Sequence, residues 1–315
     1  MRVLPDVSAT FARPAAYSLH GTLRSLQMGT FDPTMRFDST GQVPATECWR
    51  ATWIPRAGEV TAHILDDGTD LHMEAWGPGA EAAVALGRQW LGLDDDPGSF
   101  VPAHPDVAQG HKKRAGHHLS NAGVVGLSMV PVILQQLVTW RDALYGWRGL
   151  TERYGETAPG PADVPVRLPP SPKTLSKLPL PQYRLAGVGE KRARPIQAVC
   201  SRARRLQDLL QYEPDELARR LQTLRGIGPW TTGMLRGAYL GDADALVIGD
   251  LHMPHTVTRR LTGEPRGSDA QMAELLEPFR PHRYRALLAL MQADYREPRS
   301  TRRLGVAEHR KFFKG

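Results

Sequence analysis

Residues 215–250, DELARRLQTLRGIGPWTTGMLRGAYLGDADALVIGD, hold the residue types and spacings with the most chemistry in the chain. Leu217, Leu221 and Leu224 recur at helical spacing and predict one buried helix face. Gly226 and Gly228 bracket Ile227, which predicts a tight turn whose backbone no side chain covers. Pro229 stands at the preferred first position of a second helix. A helix entered this way presents unpaired backbone N–H groups at the positive end of its dipole, which suits a phosphate and positions a polyanion without reading its sequence. A plain helical corner with a glycine hinge has the same pattern, so the hairpin alone leaves both readings open.

Asp250 closes this stretch. A carboxylate there can stabilise developing positive charge and orient a water. It can equally cap a helix beginning in LHMPHTV, and the two roles are compatible. Asp250, His252 and His255 form D-x-H-x-x-H, a metal-compatible donor set. A carboxylate at the cap converges poorly on histidines further along, so solvent-facing or polyanion-facing histidines are expected instead. Asp244 is expected to support the loop.

Taken in order, LQTLRGIGPWTT and DALVIGD resemble the helix–hairpin–helix and catalytic-aspartate segment of the base-excision DNA glycosylase superfamily. The nearest likeness is to its 3-methyladenine DNA glycosylase II (AlkA-like) branch. ILQQLVTWRDA (133–143) resembles that branch's wedge-bearing helix, and RLAGVGEKRARPIQAV (184–199) its glycine-then-basic helix. The likeness spans about 120–293; the first hundred residues match only in position and in mixed strand–helix character.

The resemblance implies Asp250 as the catalytic carboxylate and a base pocket of Trp230, Met234 and Met291. It implies Leu137 as the wedge that fills the gap left by a flipped base, with Gln136 beside it facing DNA. Gly226, Ile227, Gly228, Pro229, Thr231, Lys191 and Arg192 fall on positions that meet the DNA backbone. The carbonyls of Gln222, Leu224 and Gly226 fall on positions that hold a monovalent cation, Na+ or K+; no other cofactor is implied. Relatives with a strand-cleaving lyase activity carry lysine where this chain has Trp230, so the resemblance implies a monofunctional glycosylase. Met234 and Met291 replace a tyrosine and a tryptophan of the branch, giving a roomier pocket less attractive to cations. The expected substrate is an alkylated, 3-methyladenine-like base in duplex DNA. The alternatives are a deaminated or oxidised base, and a non-catalytic lesion- or DNA-binding protein on the same scaffold.

Composition frames these residues. Forty Lys and Arg against 33 Asp and Glu give +7, which suggests a polyanionic partner. The two cysteines, Cys48 and Cys200, exclude a disulfide framework, a zinc finger and a four-cysteine iron–sulfur cluster. No apolar run is long enough to span a membrane, and MRVLPDVSATFARP lacks the apolar stretch of a signal peptide. A cytoplasmic monomer, nucleoid-associated if bacterial, is therefore expected, with damaged double-stranded DNA as partner.

The elements that must position the site divide near residue 103. Residues 1–103 predict a smaller α+β domain with an antiparallel sheet: extended segments over 15–76 with a turn at Asp67-Gly68, then a helix over 80–92. Residues 104–295 predict a helical, mainly α domain with the helix–hairpin–helix at about 214–240. Pro131 starts or kinks a helix, and six prolines in 157–173 predict a surface loop. The run HKKRAGHH (111–118) reads as a phosphate contact or a solvated linker, and residues 296–315 as a basic tail.

Overall fold

The computed structural model describes residues 3–38 and 46–292; the basic tail read at 296–315 lies outside them. Val7–Ala12 (β1), Met35–Phe37 (β2), Glu47–Ile54 (β3), Gly58–Asp66 (β4) and Asp70–Trp76 (β5) form one antiparallel sheet ordered β1-β5-β4-β3-β2. The β4–β5 turn falls on Asp67-Gly68: Gly68 takes φ 91°, and the Asp67 carboxylate accepts the amides of Thr69 at 2.8 Å and Asp70 at 2.7 Å. The Asp70 amide, His72 and the Thr69 amide hold this carboxyl down to about 2.

YSLHGTLRSL, expected to be extended, is helical instead: α1 (Leu19–Leu23) runs into a 3-10 turn ending at Leu26. Leu19, Leu23 and Leu26 are buried at helical spacing, and the Ser18 hydroxyl caps the Gly21 amide at 3.1 Å. The cap and the period of three to four outweigh the local alternation.

The helix expected over 80–92 is broken in two at Leu86. The helices that follow α1 are α2 (Ala80–Ala85), α3 (Gly87–Trp90), α4 (Pro105–Lys113), α5 (Met129–Leu134) and α6 (Trp140–Tyr154). After a short β6–β7 ladder (Glu156–Thr157, Arg167–Leu168) come α7 (Pro172–Lys177), α8 (Leu180–Leu185), α9 (Glu190–Cys200), α10 (Ala203–Gln207) and α11 (Pro214–Leu221). The last are α12 (Pro229–Met234), α13 (Met253–Thr262), α14 (Asp269–Leu276) and α15 (Arg283–Met291). Pro131 sits in the first turn of α5, where its missing N–H costs nothing.

The proline-rich segment does more than cross the surface. Ala158, Val166 and Leu168 are buried with Ala51 against Trp49 and Trp53, and Trp53 Nε1 donates to Pro169 O at 2.8 Å. The outer sheet face carries large indoles that need cover, and a chain with few N–H groups covers apolar surface at little polar cost.

Two larger clusters of buried side chains lie beside this small one. One extends from Tyr17 to Tyr239 and joins the inner sheet face, with Ile64 and Met73, to α5, all of whose residues are buried. The other gathers Phe100 and Val107 with Val257, Met272 and Leu290 of the C-terminal helices. The 111–118 run is part of this packing: His118 is buried, its ring bonded to Gly92 O at 3.0 Å, and His117 lies on Gly21.

Burial, with Arg114 and His20 nearby, brings His117 down to about 4. The folded chain keeps this ring neutral while the unfolded chain binds a proton near 6.5, so its contribution to stability is lost as pH falls from about 6.5 towards 4. His117→Gln is expected to show a smaller drop in urea midpoint between pH 7.5 and pH 5 than the parent. An identical pH profile would contradict it. Both cysteines are buried and unpaired, and no helix among the described residues is long and apolar enough to cross a membrane.

Candidate active site

The hairpin joins α11 to α12 much as its glycines predict. Gly226 takes φ 87°, and a β-carbon there would lie 2.5 Å from Cγ of Pro195, inside α9, so the turn is both left-handed and pressed against a second helix. Ile227 is buried and its amide donates to Leu224 O at 3.0 Å, so that amide closes the turn rather than facing outward. Gly228 precedes Pro229 with no side-chain cap, which leaves the first amides of α12 without a side-chain partner. The α12 axis continues through a π-helical turn, Leu235–Tyr239.

Trp230, Met234 and Ala238 recur every four residues along this axis, and each packs against both larger buried clusters. They therefore line the seam between the two cores. Beside Trp230 stands Asp250. Its Oδ1 accepts the amides of His252 at 2.8 Å and Met253 at 2.9 Å, capping α13, and its Oδ2 accepts Trp230 Nε1–H at 2.9 Å. Three donors from two segments fix the carboxylate while leaving the residue partly exposed. This geometry braces the entry to α13 and is compatible with a chemical role for the carboxylate.

Leu137 is not part of a helix. It occupies the turn between α5 and α6, 89% exposed and at φ 55°, a left-handed conformation that leucine rarely adopts. An apolar tip held outward at a backbone cost of about 1–2 kcal/mol is an outlier of the kind that marks function. Gln136, expected to face DNA, turns its amide inward instead, donating to Gly226 O at 3.0 Å and Thr231 Oγ1 at 2.8 Å. Two hydrogen bonds, Gln136 to Thr231 and Trp230 to Asp250, thus join through adjacent residues to connect the Leu137 turn with Asp250. Leu137→Gly is expected to leave stability equal or higher, because it relieves the left-handed strain. If Leu137 is the wedge that the sequence resemblance implies, the variant should lose base release from fully paired duplex more than from a mismatched or single-stranded substrate, where unpairing costs less. Equal losses on all three would contradict a wedge.

Other expected residues are placed elsewhere. Arg192, read as a phosphate contact, is buried and donates from Nη1 to Leu134 O at 2.9 Å, so its charge closes the end of α5 that leads to the wedge. Burial lowers its pKa. Lys191 is exposed. Thr231 is buried, with its hydroxyl engaged by Gln136. Met291 ends α15, 44% exposed. Asp244 holds the buried Arg283 guanidinium at 2.6–2.8 Å, a supporting ion pair. His255 Nδ1 accepts the Gly267 amide at 3.2 Å, and no metal-compatible group of three His, Cys, Asp or Glu occurs among the described residues. Of the three carbonyls read as cation ligands, Leu224 O accepts Ile227 N–H and Gly226 O accepts the Gln136 amide. Each keeps a second lone pair, so the donor set still fits a monovalent ion.

Two features escaped the sequence reading. The inward ties of Gln136 and Arg192 depend on segments 90 and 58 residues away. Leu251, 72% exposed directly after Asp250, gave one signal, an apolar residue between an aspartate and a histidine.

Solved structures share this architecture. A 3-methyladenine DNA-glycosylase from Archaeoglobus fulgidus superposes with a TM-score of 0.75 at 15% identity, covering 90% of this chain and 96% of its own. MBOgg1 in complex with a low-affinity DNA ligand gives 0.72 at 14% identity, over 93% and 96%. The 8-oxoguanine glycosylase/lyase of Clostridium acetobutylicum gives 0.69 at 12% identity, over 93% and 98%. No protein-family profile and no curated protein matches the sequence. At these identities the likeness establishes the fold: the helix–hairpin–helix fold of DNA glycosylases, a helical body with an antiparallel sheet at its N-terminal side.

Proposed function

We propose that this protein is a monofunctional DNA glycosylase that flips a damaged, alkylated base out of duplex DNA and hydrolyses its N-glycosidic bond. The observation that carries the reading is Asp250, fixed beside Trp230 by that indole and by the amides of His252 and Met253. In this reaction the bond from the base nitrogen to the sugar breaks and its electron pair leaves with the base. Positive charge develops on the sugar, and a water adds its oxygen there and releases a proton. A carboxylate held beside that charge lowers the barrier and orients the water, and its three donors keep it from moving at the moment of reaction.

Leu137 occupies the vacated space in the duplex, while the unpaired amides of α12 and the exposed Lys191 meet phosphates. A monovalent cation on the carbonyls of Gln222, Leu224 and Gly226 would add positive charge beside the same phosphate. The half-buried Trp230 offers a ring edge to Asp250 and a face to the flipped base. Position 230 supplies no amine, so water rather than a Schiff-base-forming lysine attacks the sugar as the base leaves. The fold shared with proteins named as 3-methyladenine and 8-oxoguanine glycosylases supports the reaction class.

Base release from methylated, deaminated and oxidised duplexes, analysed by mass, tests the reading. Release of a methylated purine without a borohydride-trapped protein–DNA adduct is expected. A trapped adduct would overturn the water mechanism, release confined to oxidised or deaminated bases would overturn the lesion class, and binding without release would favour a lesion-binding protein.

A further inference from the structure

A wide cleft in the described molecule lies away from Asp250. It lies where the β3–β4 turn meets α7 and the α9–α10 junction, has a volume of about 1080 Å³, and is lined by Arg56, Lys173, Arg202, Arg204 and Arg205 among others. Its floor is aliphatic, with Ile54, Val124 and Leu127. A second cleft of about 470 Å³ shares Ser171 and Lys173 with it and continues to Lys177. Together they carry six cations, Arg56, Lys173, Lys177, Arg202, Arg204 and Arg205, against one lining carboxylate, Glu156.

Two of these cations are engaged. Arg56 pairs with Asp208 at 2.7 Å, and Arg202 donates to Ala198 O at 3.0 Å. Lys173, Arg204 and Arg205 are exposed and have no side-chain partner among the described residues. Positive charge exceeds negative charge along this lining, which favours a partner of opposite sign.

The groove lies at the opposite end of α9 from the wedge-bearing turn. The start of α9 reaches the wedge-bearing turn, since Arg192 bonds Leu134 O, whereas Cys200 at its other end lines the cleft. Eight residues of helix, about 12 Å, separate Arg192 from Cys200. Nor is the groove built for single-stranded nucleic acid, which binds by stacking bases on exposed aromatics. Trp53 is the one aromatic along the two clefts, and its indole is engaged with Pro169 under the proline-rich cover.

We infer that this groove is a docking site for an extended acidic peptide segment of a partner protein, its carboxylates on Lys173, Arg204 and Arg205 and an aliphatic side chain on the Ile54–Val124–Leu127 floor. Length, excess positive charge and an aliphatic floor match such a chain better than a compact anion. The inference is independent of the glycosylase reading.

Fluorescence anisotropy of the full chain with a fluorescein-labelled hexapeptide of four Asp/Glu and two Leu tests it, with a Lys-for-Asp/Glu peptide, an oligothymidylate and an undamaged duplex as parallel probes. Saturable binding of the acidic peptide is expected, weakened about tenfold or more by Arg204→Glu with Arg205→Glu and by added salt. Arg204→Gln with Arg205→Gln should fall between parent and reversal, and duplex affinity should not change. These residues are exposed, so circular dichroism should show an intact fold. Absence of saturable binding, equal binding by the reversed variant, or oligothymidylate as the ligand lost on reversal would each overturn the inference.

Discussion

Asp250→Asn is expected to abolish most base release, by roughly 10²–10⁴-fold, while duplex binding and the fold persist. The geometry says why the substitution is informative. Oδ1 accepts two α13 amides and Oδ2 accepts the Trp230 indole. An asparagine has one acceptor oxygen, so it keeps either the cap or the indole bond and turns an NH2 towards the other donor. That mismatch costs about 1 kcal/mol of stability, too little to unfold the protein at neutral pH. Loss of the negative charge, by contrast, removes the group that would stabilise the oxocarbenium-like sugar. Base release measured on methylated duplex, with binding followed by anisotropy, separates the two effects; near-parental release by the asparagine variant would sink the assignment.

Gly110→Ala is expected to destabilise the fold by about 3 kcal/mol, lowering the melting temperature by roughly 6–12 °C. Gly110 lies in α4, and a β-carbon there would overlap the backbone carbonyl of Ala289 in α15. Backbone cannot rotate away as a long side chain can, so the helices must separate and loosen the second core around Val107 and Leu290. The sign is decisive. At an unpacked helix position the same substitution would stabilise by up to about 1 kcal/mol through helix propensity. A urea midpoint that rises would mean that α4 and α15 do not approach as closely as the structure shows.

Much of the helical half was legible because its signals are local. The span over 214–221 follows from its leucine spacing and acidic first turn, and the turn at 226–228 from glycine and proline. The Asp67-Gly68 turn was legible for the same reason. Segment 17–26 was misread because alternation and helical periodicity overlap over so few residues, and the Ser18 cap that settles it is a single hydroxyl. The role of the proline-rich segment was hidden because nothing in 157–173 records that Trp49 and Trp53 lie beneath it.

The site divides in the same way. Residue types were fixed by sequence: a carboxylate at 250, an indole and no amine at 230, an apolar side chain at 137, and too few cysteines for an iron–sulfur cluster. Each restricts the chemistry whatever the fold, since a missing functional group cannot be supplied by packing. Which groups face the ligand was decided only in three dimensions. Gln136 and Arg192 read alike as polar DNA contacts, yet both turn inward, because the hairpin carbonyl, the Thr231 hydroxyl and the carbonyl end of α5 need donors that distant segments supply. Leu137 could equally have been a core leucine, and only the turn between α5 and α6 sets it outward at a left-handed φ. Sequence determined which reactions are possible; burial and hydrogen-bond satisfaction, which couple residues 20 to 90 positions apart, determined where they would take place.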